Sequence, residues 1–314
     1  MPARPQPLVW SRRLWLAASL WACSGTDARS TEQPPAAAAA PDGPAAAPEA
    51  SPGGGLKPLD RRGVQLDSMF SRIHLQQVGD LRSLYFVRDN GDYALQTKML
   101  VSQPAALQSP YTQAMFASYL FRPQVERVLI VGLGGGAMVR FLQTHDPAVR
   151  VDAVEIDPVV VEIAADYFGT RPSDTTRIVT EDAFVYLRET TETYDVIYMD
   201  AFLKPSAETD ATGNPLRLRT LQFLRELRGR LQPLGLVVFN LNAHDDLADD
   251  VAVIDEAFDE VYVFHPPRTG NYIVVATTDG QRLGGDELRR VGAQVDARLG
   301  AAHSIAALVD QQIK

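Results

Sequence analysis

Cysteine is almost absent from this 314-residue sequence, because Cys23 is the only one. A single cysteine excludes an internal disulfide framework and a zinc site built from cysteines. An excess of positive charge is also lacking, since 30 Lys plus Arg stand against 39 Asp plus Glu and the formal net charge is −9. This balance argues against a broad basic face that binds nucleic acid, so we expect no nucleic-acid partner.

The N-terminal segment contains no hydrophobic run long enough to cross a bilayer. Residues 1–22 include three arginines and no acidic residue, and they end in nine apolar or small residues at 14–22. A membrane-spanning helix needs about 20 such residues. The pattern is instead typical of a signal peptide over residues 1–22, which predicts an exported protein. If the leader is not a signal, the protein is cytoplasmic.

The residues around Cys23 predict how the exported chain is anchored. Leu20-Trp21-Ala22-Cys23 resembles a bacterial lipobox, in which the cysteine is lipidated and becomes the mature N-terminus, although Trp21 is bulkier than usual. Residues 11–16 also resemble a twin-arginine signal, which serves export of folded proteins. Residues 23–63 are rich in Ala, Pro and Gly, a composition that favours a flexible tether. We therefore predict a lipoprotein anchored to a bacterial membrane through Cys23, with ordinary cleaved export as the alternative.

Two folded regions are predicted beyond the tether. Residues 64–122 contain short strand-like segments separated by turn residues, which predict a small antiparallel β domain and a linking helix over 111–121. Residues 123–314 alternate apolar strand-like runs with amphipathic segments. This alternation predicts an α/β domain with a doubly wound, Rossmann-like sheet.

The last third of the chain adds detail to this α/β prediction. Two consecutive strand-like runs, at 261–264 and 272–276, predict the antiparallel finish of a methyltransferase-type sheet. Helices are also predicted over 221–231, where Pro233 and Gly235 would end the helix, and over 286–312.

A glycine-rich turn marks the candidate ligand site. Gly132-Leu133-Gly134-Gly135-Gly136 follows the predicted strand 128–131 and precedes a predicted helix, where glycines let the backbone approach a ligand closely. Glu155 ends the next strand, where a carboxylate can accept hydrogen bonds from both ribose hydroxyls and repels a 2′-phosphate. The turn lacks the third spaced glycine of a dinucleotide fingerprint, because Val139 occupies a later position. We therefore predict a single-nucleoside ligand such as S-adenosylmethionine, held by Gly132, Gly134, Gly136 and Glu155.

Two more acids follow later strands of the same predicted sheet. Asp182 comes after the third strand, where it can accept a hydrogen bond from an adenine amino group. Asp200 closes the fourth strand at its carboxyl end, where open α/β sheets bind ligands. A carboxylate there can attract a cationic amine or accept its proton as a general base. The alternative for Asp200 is a solvated strand-end acid or a helix cap.

These residues resemble the spermidine synthase (polyamine aminopropyltransferase) family over about 70–280. The resemblance is carried by Val-Leu-Ile-Val-Gly-Leu-Gly-Gly-Gly, Val-Glu-Ile-Asp-Pro, Glu-Asp-Ala-Phe and Tyr-Asp-Val-Ile-Tyr-Met-Asp, in the family order between 128 and 200. It implies polyamine biosynthesis, with Glu155 holding the ribose, Asp182 the adenine and Gln96 the sulfonium nucleoside, and with Asp200 deprotonating the amine. Tyr111 and Gln113 lie in a variant of a family substrate helix. Family members are commonly dimers or tetramers, which leaves a homodimer open.

The sequence departs from the family at positions that meet the amine. Gly135 stands where family enzymes carry an acid that binds the amine of decarboxylated S-adenosylmethionine, Ala105-Ala106-Leu107 lies where they carry an Asp-Glu pair, and Leu203 replaces a second Asp. Desolvated ammonium groups need carboxylate partners. The chain therefore keeps the acids expected at the nucleoside and lacks several expected at the amine.

Three functions remain open at this point. The first is aminopropyl transfer from decarboxylated S-adenosylmethionine to a small-molecule amine acceptor. The second is methyl transfer from S-adenosylmethionine, and the third is a non-catalytic lipoprotein that binds a nucleoside.

Two features of the sequence raise further questions. His244 and nearby acids raise the question of a metal site, but an acidic helix start explains them better, so we expect no metal. The segment 202–216, after Asp200, is either a lid over the site or an ordinary loop.

Overall fold

The computed structural model describes residues 55–201, 213 and 220–314. The predicted signal peptide, Cys23 and nearly all of the predicted tether lie outside this part of the chain, as does nearly all of the segment 202–216. Lipidation at Cys23 therefore stays a prediction. Within the described residues, no helix is both long and apolar enough to cross a membrane.

A small antiparallel sheet forms the N-terminal part of the described chain. Its four strands pair in sequence order: β1 (Val64–Asp67), β2 (Arg72–Val78), β3 (Leu81–Val87) and β4 (Tyr93–Leu100). Alternation along β2 sends Ile73 and Leu75 to one face, where both are fully buried. This face packs on helix α4 (Pro158–Phe168) through Ile163 and Phe168. The predicted antiparallel element is confirmed.

The linking helix predicted over 111–121 is wrong as a single element. The structure has α1 (Pro110–Met115) and α2 (Ser118–Phe121), separated where Phe116 and Ala117 donate to carbonyls three residues back. Phe116 is fully buried, with its ring centroid 4.4 Å from that of Phe141 and 5.6 Å from that of Tyr198. Tertiary packing at Phe116 therefore tightens and interrupts the helix.

A seven-stranded sheet forms the larger part of the fold. Its strands are β5 (Arg127–Val131), β6 (Arg150–Glu155), β7 (Thr176–Thr180), β8 (Tyr194–Met199), β9 (Leu231–Asn242), β10 (Glu260–Phe264) and β11 (Asn271–Thr277). The spatial order is β10-β11-β9-β8-β5-β6-β7, and β11 is antiparallel to both of its neighbours. The predicted doubly wound sheet with an antiparallel finish is confirmed. Its strand order reverses at β5, and crevices at such switch points bind ligands.

Helices flank this sheet, and two of their predicted ends are wrong. Besides α4 they are α3 (Ala137–His145), α5 (Ala183–Glu189), α6 (Leu221–Arg228), α7 (Leu247–Ala257), α8 (Gly285–Leu299) and a 3₁₀ helix (Ala306–Gln311). α6 ends at Gly229 rather than near residue 231, so Pro233 and Gly235 lie inside β9. α8 ends at Gly300, whose φ of 59° is left-handed, instead of continuing to residue 312.

Candidate active site

The glycine-rich turn joins β5 to α3 in a conformation that demands glycine. Gly132, Gly134 and Gly136 have φ angles of 92°, 53° and 74°, which side chains other than glycine rarely adopt. A Cβ on Gly132 would also lie only 2.3 Å from the backbone oxygen of Asp200. Asp200 N in turn donates to Val131 O at 2.9 Å. The turn and the end of β8 therefore touch through their backbones.

Glu155 supports the turn from the end of β6. Its Oε2 accepts a hydrogen bond from Leu133 N at 2.9 Å, and its Oε1 accepts one from Asp157 N at 3.1 Å. Burial raises the pKa of this carboxyl group, while the backbone donors lower it. Gly134 is a third backbone donor to this carboxyl group. An ionised carboxylate has about four lone-pair sites, so three backbone donors leave capacity for about one further donor such as a ribose hydroxyl.

A cavity opens between the turn, β4 and α1, and we call it the turn cavity. Its lining includes Gln96, Tyr111 and Asp200 together with Gly132, Gly134 and Gly136. The structure thus brings together most of the residues predicted for the nucleoside and for the acceptor. Thr97, Lys98, Ser109 and Thr112 also line it, and these were not predicted.

A second cavity of about 410 Å³ adjoins the first. Both are lined by Gln96, Lys98, Ser109 and Tyr111. Its remaining polar lining comes from three separate parts of the chain: the N-terminal sheet, β9 and the segment that leads from β10 into β11. These residues are Ser71, Arg88, Asn240, Asn242, Arg268, Thr269 and Asn271. Because it carries Arg88, Lys98 and Arg268, we call it the basic cavity.

Asp200 is positioned by a hydrogen bond, and its pKa is shifted by burial. Its Oδ1 accepts a hydrogen bond from Asn240 Nδ2 at 2.7 Å, and Asn240 Oδ1 accepts one from Asn271 Nδ2 at 2.9 Å. Burial raises the pKa of Asp200 to about 7, against the lowering effect of the Asn240 hydrogen bond. A carboxyl group with this pKa exchanges protons readily near neutral pH, as a general base requires. Sequence reasoning missed Asn240, although it is visible as a polar residue that ends an apolar run.

Asn240→Ala is expected to move the acidic limb of the pH–rate profile upward. The Asn240 amide stabilises the ionised carboxylate, so its loss raises the pKa of Asp200 further. A hydrogen bond to a charged group contributes about 1.5 kcal/mol or more, which corresponds to about one pH unit. Measurement of kcat/KM from about pH 5 to about pH 9 tests this shift. Asn90→Ala, at an exposed position outside both cavities, should leave the limb in place. An unmoved limb in Asn240→Ala would contradict the assignment.

Tyr111 and Gln96 line the turn cavity together with the glycine turn. Tyr111 Oη donates to Gln96 O at 3.3 Å, and Gln96 Nε2 donates to Ala94 O at 3.2 Å. Burial, followed by the charge of Asp200, raises the pKa of Tyr111 well above its ordinary value of 10. Tyr111 therefore stays a neutral hydroxyl beside Asp200.

Three predicted site residues of the described chain, Glu155, Gln113 and Asp182, do not line either cavity. Contact of Glu155 with a ribose therefore stays a prediction. Gln113 Nε2 donates to Leu107 O at 2.8 Å and so supports the loop before α1. Asp182 is the N-cap of α5, with its Oδ1 accepting from Phe184 N at 2.8 Å. Contact of Asp182 with adenine and of Gln113 with a substrate stays a prediction.

The missing acid at Gly135 is explained by packing. A Cβ at this position would lie 2.7 Å from Thr97 Cγ2 and 3.0 Å from the Phe168 ring. Gly135 N donates to Thr97 Oγ1 at 2.8 Å, and its carbonyl oxygen accepts from Thr170 Oγ1 at 2.8 Å. Gly135 is absent from the lining of both cavities. A carboxylate at residue 135 therefore has no room without displacement of its neighbours.

The candidate metal cluster is a helix start in the structure. Asp249 and Asp250 lie in the first turn of α7, and His244 Nε2 lies 2.9 Å from Asp250 Oδ2. Among the residues that the structure describes, no group of three His, Cys, Asp or Glu is arranged to hold a metal ion.

Known proteins resemble both the sequence and the fold. Residues 110–243 match the family described as "Spermine/spermidine synthase domain". A polyamine aminopropyltransferase from Vibrio vulnificus is 34% identical over 214 residues, which cover 67% of this chain and 69% of that protein. Human methyltransferase-like protein 13, solved in complex with SAH, shows a TM-score of 0.57 and 27% identity over 62% of this chain and 94% of that chain. A structure titled "probable spermidine synthase", from Corynebacterium glutamicum, shares the fold with a TM-score of 0.61 and 21% identity, over 79% of this chain and 96% of that chain.

Proposed function

The chain belongs to the spermine/spermidine synthase family, and we propose that it transfers an aminopropyl group from an adenosyl sulfonium nucleoside to an amine acceptor. The nucleoside would bind along the glycine turn with its sulfonium end toward the turn cavity, and the amine would approach from the basic cavity. One observation carries the proposal: Asp200, whose pKa is raised to about 7, lies in the turn cavity with Gln96 and Tyr111.

Two features of the glycine turn support nucleoside binding. The glycine turn presents backbone close to the cavity, and Glu155 keeps acceptor capacity for a ribose hydroxyl while holding Leu133 N. The sulfonium supplies a carbon that a neutral amine can attack, with the carbon–sulfur electron pair returning to sulfur as methylthioadenosine leaves. The protein would remove a proton from the amine and orient its nitrogen toward the carbon bonded to sulfur.

Asp200 would make the amine neutral by taking its proton. An ammonium group has no lone pair for attack, so one N–H proton must pass to a base before or during transfer. Asn240 orients the Asp200 carboxylate from the side of the basic cavity. Burial keeps the Tyr111 hydroxyl neutral near pH 7, so Tyr111 can form hydrogen bonds but does not take the proton of the amine.

Methyl transfer from S-adenosylmethionine is the second candidate, and the packing at Gly135 favours it. Aminopropyl transfer uses a donor whose amine needs a carboxylate partner, and a side chain at residue 135 would have to displace those of Thr97 and Phe168. The 27% identity to a methyltransferase-like protein solved with SAH points the same way.

Donor binding followed by product analysis tests the proposal. Calorimetry with methylthioadenosine, decarboxylated S-adenosylmethionine and S-adenosylmethionine comes first, and donors labelled in the aminopropyl or methyl group come second. We expect methylthioadenosine to bind and aminopropyl label to reach the amine product. Methyl label in the product would replace the first candidate by the second. Binding of none of the three nucleosides would remove both.

A further inference from the structure

The basic cavity has an unusual charge for this chain. Three cationic side chains line it, those of Arg88, Lys98 and Arg268, and the described part of its wall contains no Asp or Glu. The remaining polar residues are neutral. The whole chain, by contrast, carries 39 acidic residues and a formal charge of −9. A positive cavity in an acidic chain indicates a local requirement for positive charge.

Among the residues that the structure describes, these cations have no carboxylate partner. No ion pair within the described ranges joins Arg88, Lys98 or Arg268 to a carboxylate, whereas Arg122 and Arg282 pair with Asp195 and Glu260. Asp200, a carboxyl group of the adjoining turn cavity, is held by Asn240. Within the described part of the chain, no carboxylate therefore offsets the positive charge of the cavity.

Arg268 also occupies a strained backbone position. Its φ is 60°, in the left-handed region that glycine adopts without cost. It lies in the turn between β10 and β11, where Thr269 Oγ1 donates to Pro266 O at 3.1 Å and accepts from Asn271 N at 3.3 Å. Non-glycine residues in this region are uncommon, and Arg268 and Leu234 are the two among the described residues. Of these two, Arg268 lines the basic cavity.

A polyamine does not suit such a cavity. Its several ammonium groups would meet three cations and, among the described residues, no acid. A carboxylate would instead receive charge-assisted hydrogen bonds from an ammonium or a guanidinium. Lys98 lines both cavities, so a carboxylate bound there lies close to the turn cavity that contains Asp200.

We infer that the basic cavity binds the carboxylate of an amine acceptor, so that the acceptor is an amino-acid-like amine and not a simple polyamine. The inference rests on the proposed function, since it assigns the acceptor of that same site. A carboxylate on the donor would meet the same cations, and the experiment separates these two sources.

The test compares amines that differ by one carboxylate. Putrescine is ornithine without its carboxylate, and cadaverine is lysine without its carboxylate. Calorimetry of the full chain, saturated with methylthioadenosine so that the donor brings no carboxylate, measures all four. We expect each amino acid to bind at least about tenfold more tightly than its diamine. Lys98→Gln and Arg268→Gln should each lose about that factor for the amino acids and nothing for the diamines. Arg150→Gln serves as the matched control, because Arg150 begins β6 and lines neither cavity.

Three outcomes would overturn the inference. The first is the lack of any preference for the amino acids, whether the diamines bind as tightly or more tightly or none of the four amines binds. The second is a preference for amino acids that survives both substitutions. The third is a tenfold loss of S-adenosylmethionine affinity in both variants with unchanged ornithine affinity. This result would show that the cations bind the carboxylate of the donor. Failure of methylthioadenosine itself to bind would instead remove the proposed function.

Discussion

Asp200→Asn is expected to lower the rate of group transfer by between about a hundredfold and ten-thousandfold, the usual contribution of a positioned general base. Asn has the same shape, and its carbonyl oxygen can still accept the hydrogen bond that Asn240 Nδ2 gives to Asp200 Oδ1. The affinity for methylthioadenosine should therefore change little. Single-turnover transfer and calorimetry measure the two effects separately. Unchanged turnover would remove the general-base role.

A measurement of thermal stability distinguishes the rate loss in Asp200→Asn from misfolding of the variant. The pKa of Asp200 is about 7 in the folded protein and 3.8 ordinarily, so the folded state holds the proton more tightly. The contribution of this proton to the free energy of unfolding is fully present below about pH 4, and it is lost as the pH rises to about 7. Asn cannot ionise, so the variant should melt at a higher temperature than the parent above that pH. Asp174→Asn, at an exposed site before β7, is the matched control.

Glu155→Gln is expected to weaken nucleoside binding by about a hundredfold or more. Both carboxylate oxygens of Glu155 accept backbone hydrogen bonds, one from Leu133 N and one from Asp157 N. An amide has one acceptor oxygen, so its NH₂ group must face one of these N–H donors. Each lost hydrogen bond to a charged group costs about 1.5–3 kcal/mol, and the ribose loses an acceptor as well.

Calorimetry with methylthioadenosine gives the size of this loss. Glu162→Gln, on the exposed face of α4, makes the same chemical change away from the turn and should bind normally. If Glu155→Gln binds the nucleoside as tightly as the parent chain, Glu155 holds only the protein backbone, and the ribose assignment is wrong.

Sequence patterns were sufficient for the parts of the fold that local physics determines. The apolar run of β5 predicted a strand buried on both sides, and Val128, Leu129, Ile130 and Val131 are each at most 2% exposed. Glycines after β5 and an acid closing β8 sit at the carboxyl edge of a parallel sheet, so the sequence alone could predict that Gly132 and Asp200 lie together. Their backbone contact follows from that topology.

The remaining site depends on contacts between distant segments. Lys98 belongs to β4, Asn240 to β9 and Arg268 to the β10–β11 turn, and only the tertiary fold brings them to one cavity. No periodicity relates these three residues. The break at Phe116 has the same origin, because it follows from aromatic packing and not from helix propensity. At α6, Gly229 ends the helix before Pro233, the predicted stop signal.

The contact between Gly132 and Asp200 has a consequence for how the site can evolve. Because a Cβ at 132 would lie 2.3 Å from Asp200 O, the nucleoside turn and the base form one backbone unit with a fixed spacing. The wall proposed to meet the acceptor comes from other segments, in β4, β9 and the β10–β11 turn. Under the proposed function, substitutions there would exchange one acceptor for another without altering the spacing between the base and the donor. The fold thus separates a constant reaction geometry from a replaceable specificity surface.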